Sequence, residues 1–281
     1  MLPVGVDLKV VGFSALLSVF FVASACAAQT DIKPPAKEDI EAAVGAVCKA
    51  DAIIRSTAGD LIGCRVCPEE TTDSLSASTV GWRLNAITPG HFTSASADEL
   101  LLGITGCEPH AMNFGGSFLF VREDGTVRAV KYVQGELTDR CHKFAYADGR
   151  NFLICQQGWT GQGETFDNVV VMSFNAGEET VSTNLLRTED TTMTCGPAML
   201  TPVQKSAISG LQFTPKDSGQ ITGFTVSATL GNIPCSQAHR KPMSPRWEAA
   251  VKTYSIEFRF DGKRFRVAQG SRAALDRFPK Q

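Results

Sequence analysis

The cysteine content constrains this chain more than any other feature. Nine of its 281 residues are cysteine, a high number for a protein of a reducing compartment. Cys26 lies in an apolar segment near the N-terminus, and an even set follows it. An even set predicts a framework of disulfides and an oxidising environment. The expected half-cystines are Cys48, Cys64, Cys67, Cys107, Cys141, Cys155, Cys195 and Cys235.

The N-terminus predicts an export signal. Residues 10–28 form an apolar run that follows Lys9 and ends in small residues, which is typical of a secretory signal peptide over residues 1–28. A retained transmembrane helix is the alternative, because a run of this length can just span a bilayer. The sequence ASAC, which ends at Cys26, also resembles a bacterial lipoprotein box. We therefore expect a secreted or periplasmic protein, which is lipid-anchored if Cys26 is modified.

A linker and a short helix are predicted after the export signal. Residues 29–37 are polar and hold two adjacent prolines, as linkers do. Apolar residues then recur at helical spacing behind several acidic ones, and they predict a helix over residues 37–49. Cys48 lies on the apolar face of this helix. A bridge from Cys48 to Cys64 or Cys67 would staple the helix to the rest of the domain.

Three Asp-Gly pairs predict β-hairpins, since this dipeptide favours the tight turn between two paired strands. They are Asp124-Gly125 between residues 117–122 and 126–133, Asp148-Gly149, and Asp261-Gly262 between residues 254–260 and 263–268. A two-residue turn at the last pair predicts Phe258 opposite Phe265 and Ile256 opposite Val267. This register matches apolar residues with apolar residues.

The middle hairpin predicts one particular disulfide. A three-residue loop over residues 147–149, with Gly149 in the left-handed region, places Cys141 opposite Cys155. Two cysteines that face each other across a strand pair can be bridged if their Cβ atoms approach closely. The other expected partners are Cys195 with Cys235, and Cys107 with one cysteine of the motif Cys64-Arg65-Val66-Cys67.

The chain also repeats itself at an offset of 52 residues. Residues 90–106 align with residues 142–158, and a fainter third copy spans residues 212–228. The matched pairs include Phe92 with Phe144, Leu100 with Phe152, Phe118 with Val170, and Phe120 with Met172. Units of about 50 residues with several short strands are typical of propeller blades.

The repeated phenylalanine, polar glycine-containing loop and strand resemble the FG-GAP and related VCBS-type repeats of secreted proteins, over residues 90–265. The resemblance implies a propeller. Loops of spaced Asp residues often bind calcium in that family, but the loops SASADE, YADGR and TPKDSG lack the Asp-x-Asp-x-Asp run, so calcium binding does not carry over. Three visible copies fall short of the four blades that propellers need. We therefore predict a single, mainly β domain over residues 38–281, with repeated hairpins in a propeller-like assembly or a two-sheet sandwich.

Motifs for catalysis, cofactors and metals are weak. The CxxC of Cys64 and Cys67 lacks the βαβ context of a redox site, the histidine of a haem site and the second CxxC of a zinc ribbon. No signature of a hydrolase, a phosphate loop or a zinc protease follows the apolar N-terminus. We expect no metal and no cofactor. A hydrolase whose site is assembled from distant loops, around His110 or His142, is the alternative.

Residues 156–163 are the stretch most typical of a ligand site. They hold a tryptophan among glycines and glutamines, which offers a flat stacking face beside amide hydrogen-bonding groups. Such a loop suits a sugar or a peptide. The predicted ligand-binding residues are Gln156, Gln157, Trp159 and Thr160. The alternative is a flexible loop whose tryptophan packs on the core.

Charge is distributed unevenly along the chain, although the net charge is only −2. Residues 236–281 hold 11 Lys or Arg and four Asp or Glu, so this segment carries +7 and the rest carries −9. By strand parity, Arg259, Arg264 and Arg266 share one face, which could meet an anionic envelope polymer, lipid headgroups or an acidic partner. The alternative is a solvated face paired with acidic groups of the same molecule. The near-neutral whole argues against nucleic acid as a partner.

Together these features favour a non-catalytic binding module of the cell envelope, for a peptide or a glycan. A secreted hydrolase and a structural envelope lipoprotein with a lipid on Cys26 are the alternatives. Contact with a membrane is expected only through the signal peptide or that lipid.

Overall fold

The computed structural model describes residues 36–71, 81–108, 114–161, 163–175, 180–196, 202–215, 220–235 and 251–280. The predicted signal peptide, Cys26 and nearly all of the predicted linker lie outside these ranges. The described chain is mainly β, as the sequence predicts, with short helices. None of its helices has both the length and the apolar character needed to cross a membrane.

The described strands, in chain order, are β1 (Ile53–Arg55), β2 (Leu61–Cys64), β3 (Trp82–Gly90), β4 (Glu99–Gly106), β5 (Gly115–Glu123), β6 (Thr126–Gln134), β7 (Cys141–Ala145), β8 (Asn151–Gly161), β9 (Glu164–Ser173), β10 (Val181–Asp190), β11 (Pro202–Pro215), β12 (Ile221–Pro234), β13 (Lys252–Phe260) and β14 (Phe265–Val267). The α-helices are α1 (Lys37–Val47) and α2 (Arg272–Leu275), and short 3-10 helices span Ala50–Ala52, Thr192–Thr194 and Gln269–Ser271. Helix α1 ends two residues before the predicted limit, because Cys48 already has extended backbone angles.

Strands β1–β6 form an antiparallel sheet in chain order, the N-terminal sheet. Helix α1 lies on one of its faces and buries Ala43 and Val44 there. Arg122 of β5 fixes the helix to the sheet, because its guanidinium contacts Asp39 of α1 and donates to Asp98 at 2.7 Å. The N-terminal core between helix and sheet consists of Ala43, Val44, Cys48, Ala52, Leu61, Cys64, Trp82, Ile87, Leu100, Leu102, Ile104, Cys107, Phe118 and Phe120.

Strands β7–β14 form a second antiparallel sheet in chain order, the C-terminal sheet. Its halves, β7–β10 and β11–β14, are joined at one residue pair, Asp190 with Lys205. The hydroxyl of Ser206 extends this junction: it accepts the backbone N–H of Glu189 at 2.6 Å and donates to the Glu189 carbonyl at 2.9 Å. Because β10 and β11 are paired only here, the two halves can fold over one another.

The two halves of the C-terminal sheet enclose an aromatic core. The ring centroid of Phe152 in β8 lies 5.9 Å from that of Phe265 in β14, and Phe144 in β7 lies 4.7 Å from Phe213 in β11. The C-terminal core consists of Phe152, Ile154, Val169, Val171, Leu185, Leu186, Ile208, Ile221, Phe224, Val226, Ala228, Ile256, Phe258, Phe265 and Phe278. These rings pack between the two halves of the sheet, whose strands β10 and β11 are joined at a single residue pair.

The two sheets pack against each other through a middle core. It consists of Phe92, Leu101, Leu119, Leu153, Cys155, Val170, Met172 and Phe174. Leu101 and Leu119 are cross-strand partners in the N-terminal sheet, and Leu153 and Met172 are cross-strand partners in the C-terminal sheet. The sheets therefore stack face to face, as in the predicted sandwich. The described residues do not form a ring of four-stranded blades.

The predicted repeat maps onto equivalent strands, but not at one constant offset. Leu101 of β4 pairs with Leu119 of β5, and Leu153 of β8 pairs with Met172 of β9. The offset between the copies is therefore 52 residues from β4 to β8 but 53 residues from β5 to β9. The predicted match of Phe118 with Val170 therefore joins residues on different faces, since Phe118 lies in the N-terminal core and Val170 in the middle core. The match of Phe120 with Met172 is wrong for the same reason, because a shift of one residue turns every side chain of a strand to the other face.

Four disulfides link all eight expected half-cystines. They are Cys48–Cys64, Cys67–Cys107, Cys141–Cys155 and Cys195–Cys235. Each predicted partnership is confirmed, and where the sequence left two candidates open, Cys48 takes Cys64 and Cys107 takes Cys67. Four disulfides fit an oxidising extracellular or periplasmic environment.

The first two predicted hairpins are confirmed. Asp124-Gly125 connects β5 with β6. In the hairpin of β7 and β8, Gly149 has a φ of +87°, a conformation that glycine adopts without strain, and Cys141 lies opposite Cys155 as predicted.

The predicted register of the last hairpin was wrong by two residues. Phe260, and not Phe258, lies opposite Phe265. Asp261 causes the shift, because its Oδ1 accepts the backbone N–H groups of residues 263–264 at 3.0 Å each. An aspartate that binds its own following backbone in this way closes a turn of four residues instead of two.

Candidate ligand-binding groove

A groove of about 750 Å³ opens between the two halves of the C-terminal sheet. One wall is β10 over residues 183–187. The other wall is β14 together with the C-terminal segment that contains α2. This volume lies in the range of sites that hold small ligands or short chain segments.

The course of β10 explains why the groove exists. This strand is paired with β9 along its whole length, but with β11 only at Asp190. A β-bulge between Asn184 and Leu186 adds further twist to the strand. Strand β10 therefore turns away from β11 and leaves a space that β14 and α2 fill only in part.

The floor of the groove is apolar. Leu185 and Leu186 of β10 are buried, as are Phe258 of β13 and Phe265 of β14. Phe278, which follows α2, is 4% exposed and also lines the groove. Because these side chains belong to the C-terminal core, the floor is held in place by the packing of the whole sheet.

Strand β14 presents to the groove a backbone edge that no other described strand pairs with. The backbone N–H of Ala268 donates to the carbonyl of Glu257 at 2.8 Å, which fixes the phase of hydrogen bonding between β13 and β14. Bonded residues alternate along an antiparallel strand, so Phe265 and Val267 turn their N–H and C=O groups away from β13. Strand β14 is the last strand of its sheet, and both residues line the groove.

The rim of the groove is basic. Arg264, Arg266, Arg272 and Lys280 are exposed lining residues, and Asp276 is the one acidic residue among the described lining. Arg266 forms an ion pair, whereas Arg264, Arg272 and Lys280 form none with any other described residue. A cleft with this charge and an apolar floor attracts anions by its local field, although the whole chain is nearly neutral.

Two of the three arginines of the predicted partner face are neutralised locally. Arg266 Nε donates to Asp261 Oδ2 at 2.5 Å, and Arg259 Nε donates to Glu257 Oε1 at 2.8 Å. The Arg266 contact, with nearby backbone N–H donors, holds the pKa of Asp261 well below its ordinary value of 3.8. Arg264 alone of the three keeps an unpaired charge among the described residues.

The predicted partner face is only partly assembled on the strands. Arg259 and Arg266 are direct cross-strand partners and share the outer face, as parity predicts. Arg264 lies in the turn before β14, and its place on that strand face stays a prediction. The four-residue turn, closed by Asp261, removes it from the strand and brings it to the rim of the groove.

The stretch predicted as a tryptophan-containing loop is a strand. Residues 156–161 belong to β8 and pair with β9. Side chains alternate along a strand, so Gln157 and Trp159 share one face and Gln156 and Thr160 the other. The four predicted ligand-binding residues therefore do not converge on one surface, and their role in binding stays a prediction.

Gln157 and Trp159 contact other parts of the protein. Gln157 Nε2 donates to Glu136 Oε2 at 2.5 Å. The Trp159 ring stacks on Phe166, with centroids 5.2 Å apart and planes 18° apart. The guanidinium carbon of Arg187 lies 4.0 Å from the centre of the same Phe166 ring. This stack crosses β8, β9 and β10 and supports the wall of the groove to which Arg187 contributes.

His142 has aromatic surroundings. Its half-buried ring lies 4.7 Å from the ring of Phe213, and burial lowers the pKa of its imidazole below 6.5. A hydrolytic triad would need a nucleophile and a carboxylate beside the ring. His110, the other histidine considered for a hydrolase, lies outside the described residues.

In the first repeat copy, the carboxylate at the end of the loop SASADE binds nearby backbone N–H groups. Glu99 is 2% exposed and accepts the backbone N–H groups of Phe92 at 2.6 Å and Thr93 at 2.9 Å. Within the described ranges, no group of three or more His, Cys, Asp or Glu side chains is placed to hold a metal ion.

Sequence reasoning missed Arg272, Lys280 and the apolar floor as parts of one site. The basic composition of residues 236–281 was the one available signal, and it could not indicate which side chains meet. No protein family matches the chain, and a search among curated proteins finds no match. The functional conclusion therefore rests on the geometry and charge of the groove.

Proposed function

We propose that this chain is an exported, non-catalytic binding module whose groove holds an anionic chain of the cell envelope. The observation that carries this proposal is a set of basic side chains, Arg264, Arg272 and Lys280, which surround an apolar floor and form no ion pair with the described part of the chain. A ligand with negative groups would meet the rim, while its apolar parts would cover Leu185 and Leu186. Such a combination gives both charge complementarity and apolar burial.

The proposed place of action follows from the N-terminus and the disulfides. Residues 1–28 are the proposed signal peptide, and four disulfides support an oxidising compartment. A lipid on Cys26 would hold the domain at a membrane surface through the segment that precedes α1. The binding role is the same in either case, since the groove belongs to the C-terminal sheet.

The test is binding of two anionic probes, poly-L-glutamate and polygalacturonate, to the purified oxidised protein at rising salt. We expect binding that weakens between roughly 50 and 200 mM salt, because the rim charges are exposed and screened. The double substitution Arg264→Gln/Arg272→Gln should weaken binding roughly 2- to 30-fold, since exposed charge contacts contribute about 0.2–1 kcal/mol each.

The matched control is Arg83→Gln/Arg128→Gln, which removes the same charge from exposed positions of the N-terminal sheet. We expect it to leave probe binding within about twofold, because these residues lie far from the groove along the fold. Equal losses in the two double variants would show that net charge, and not the groove, attracts the probes, and would overturn the proposal.

A further inference from the structure

We propose that the anionic chain held in the groove is an acidic peptide in extended conformation, which adds as a short strand to the free edge of β14. This inference rests on the proposed function, because it names the class of ligand for the same groove. The peptide would lie between β14 and β10, the two walls of the groove.

The backbone edge is the first reason for a peptide. Phe265 and Val267 each turn an N–H donor and a C=O acceptor away from β13, and β14 is the last strand of its sheet. Donors and acceptors alternate along this edge at the spacing of an extended chain. A peptide strand presents the matching row of groups, and this match is the basis of strand addition.

The floor and rim supply the second reason. Side chains of an added strand would alternate between two directions. One set would point to the buried Leu185, Leu186 and Phe258, and the other set toward solvent and the exposed Arg264 and Arg272. A segment that alternates acidic and apolar residues fits both surfaces. The basic groups of the rim that have no ion-pair partner in the described ranges favour acidic residues in the outward set.

A glycan would use only part of this arrangement. An acidic polysaccharide could pair with the rim cations, but its hydroxyl groups do not repeat the alternating N–H and C=O pattern of a strand. The backbone edge at Phe265 and Val267 would then contribute nothing regular to binding. The free edge therefore favours a peptide over a glycan.

The first experiment compares two blocked seven-residue peptides that alternate glutamate and valine. One has an ordinary backbone, and the other carries N-methyl groups on alternate residues, which remove the donors along one edge without changing charge. We expect the N-methylated peptide to bind roughly 5- to 150-fold more weakly to the wild-type protein, because it loses the hydrogen bonds to the carbonyls of Phe265 and Val267. Equal binding of the two peptides would overturn the inference.

The second experiment removes one donor from the protein. Val267→Pro deletes a backbone N–H that points away from β13, a place where an edge strand tolerates proline. We expect about a 3- to 10-fold loss of binding of the ordinary peptide, with binding of polygalacturonate unchanged. Val267→Ala is the matched control, since it trims the side chain but keeps the N–H group. Near-ultraviolet circular dichroism checks that both variants keep the native packing.

The two proposals fail in different ways. If both peptides and polygalacturonate bind alike, and Arg264→Gln/Arg272→Gln weakens all of them, strand addition is wrong and the anionic groove stands. If polygalacturonate binds more tightly than the ordinary peptide, the ligand is a glycan and the inference is overturned. If no anionic probe binds the groove, the proposed function fails and strand addition fails with it.

Discussion

The N-terminal core and the C-terminal core are closed in different ways. Helix α1 covers the face of the N-terminal sheet and is held there by the Cys48–Cys64 disulfide and by Arg122. The C-terminal core is covered by its own folded sheet, by the short α2 and by Phe278, and a groove of about 750 Å³ stays open beside it. Antiparallel strands of the same kind thus form either a core covered by a helix or a core with a large groove beside it, depending on what packs on the last face.

The two cores also differ in composition. The N-terminal core has three aromatic members, which are Trp82, Phe118 and Phe120. The C-terminal core is rich in phenylalanine, and its rings contact one another across the two halves of the sheet. Further rings, those of Phe144, Tyr146, Phe213, Tyr254 and Phe260, are partly buried against the C-terminal core, whereas Tyr132 is the one partly buried ring against the described N-terminal core.

The largest expected effect comes from truncating one ring in each core. Phe118→Ala in the N-terminal core and Phe224→Ala in the C-terminal core should each lower the free energy of unfolding by about 3–5 kcal/mol, because both rings are fully buried. Urea denaturation, followed by circular dichroism and by tryptophan fluorescence, measures the loss.

We expect a single transition in both variants, since the middle core joins the two sheets. Two separate transitions would show that the cores unfold independently and would contradict a shared fold. Val130→Ala is the control, because this side chain is 49% exposed and its truncation should change stability by no more than about 0.5 kcal/mol.

A smaller effect is expected from removing one disulfide at a time. Cys48–Cys64 and Cys141–Cys155 close chain segments of similar length, with sequence separations of 16 and 14. Replacing both cysteines of either pair by alanine should lower stability by about 3 kcal/mol, because the unfolded chain regains loop entropy. The measurement is urea denaturation under oxidising conditions.

This pair of variants tests whether α1 belongs to the folded domain as firmly as the β7–β8 hairpin does. A loss below about 1 kcal/mol for the first pair, with about 3 kcal/mol for the second, would show that the helix is a detachable cover. Reduction of the wild-type protein serves as the control, since it should lower stability by more than either double variant.

The smallest expected effect is a pH dependence that arises beside the C-terminal core. Burial lowers the pKa of His142 below its ordinary 6.5, so the unfolded chain binds more protons than the folded protein once the pH falls below about 6.5. Stability should therefore be complete above this pH and decline as the pH falls toward 5. His142→Phe keeps an aromatic ring beside Phe213 and should flatten this decline.

Thermal denaturation at pH 7.5, 6 and 5 measures this dependence. His91 is exposed, and His91→Gln is the control that should keep the wild-type decline. If stability declines in the same way in His142→Phe, groups other than His142 cause the acid sensitivity. The pH dependence would then not distinguish the C-terminal core from the N-terminal core.

Local rules predicted much of the strand pairing. The turn at Asp148-Gly149 and the facing pair Cys141 and Cys155 follow from loop length and alternation, which act over a few residues. The same rules failed at Asp261, because a side-chain bond to the following backbone lengthened the turn. They failed again at residues 156–161, where glycines and glutamines suggest a loop although pairing with β9 makes a strand.

The groove could not be predicted from the sequence. Its walls lie about 80 residues apart along the chain, and they meet because β10 leaves β11 after one residue pair. That divergence depends on a bulge near Asn184 and on the junction at Ser206, neither of which has a sequence signature. The basic composition of residues 236–281 indicated an anionic partner, but not the place where it would bind.

The packing of the two sheets has a further consequence. Leu101 and Leu119 on one side meet Leu153 and Met172 on the other, and these are corresponding positions of the two repeat copies. The contact is built like the interface of a symmetric dimer, within a single polypeptide. A change of size in one copy therefore alters a core to which the corresponding strands of the other copy also contribute.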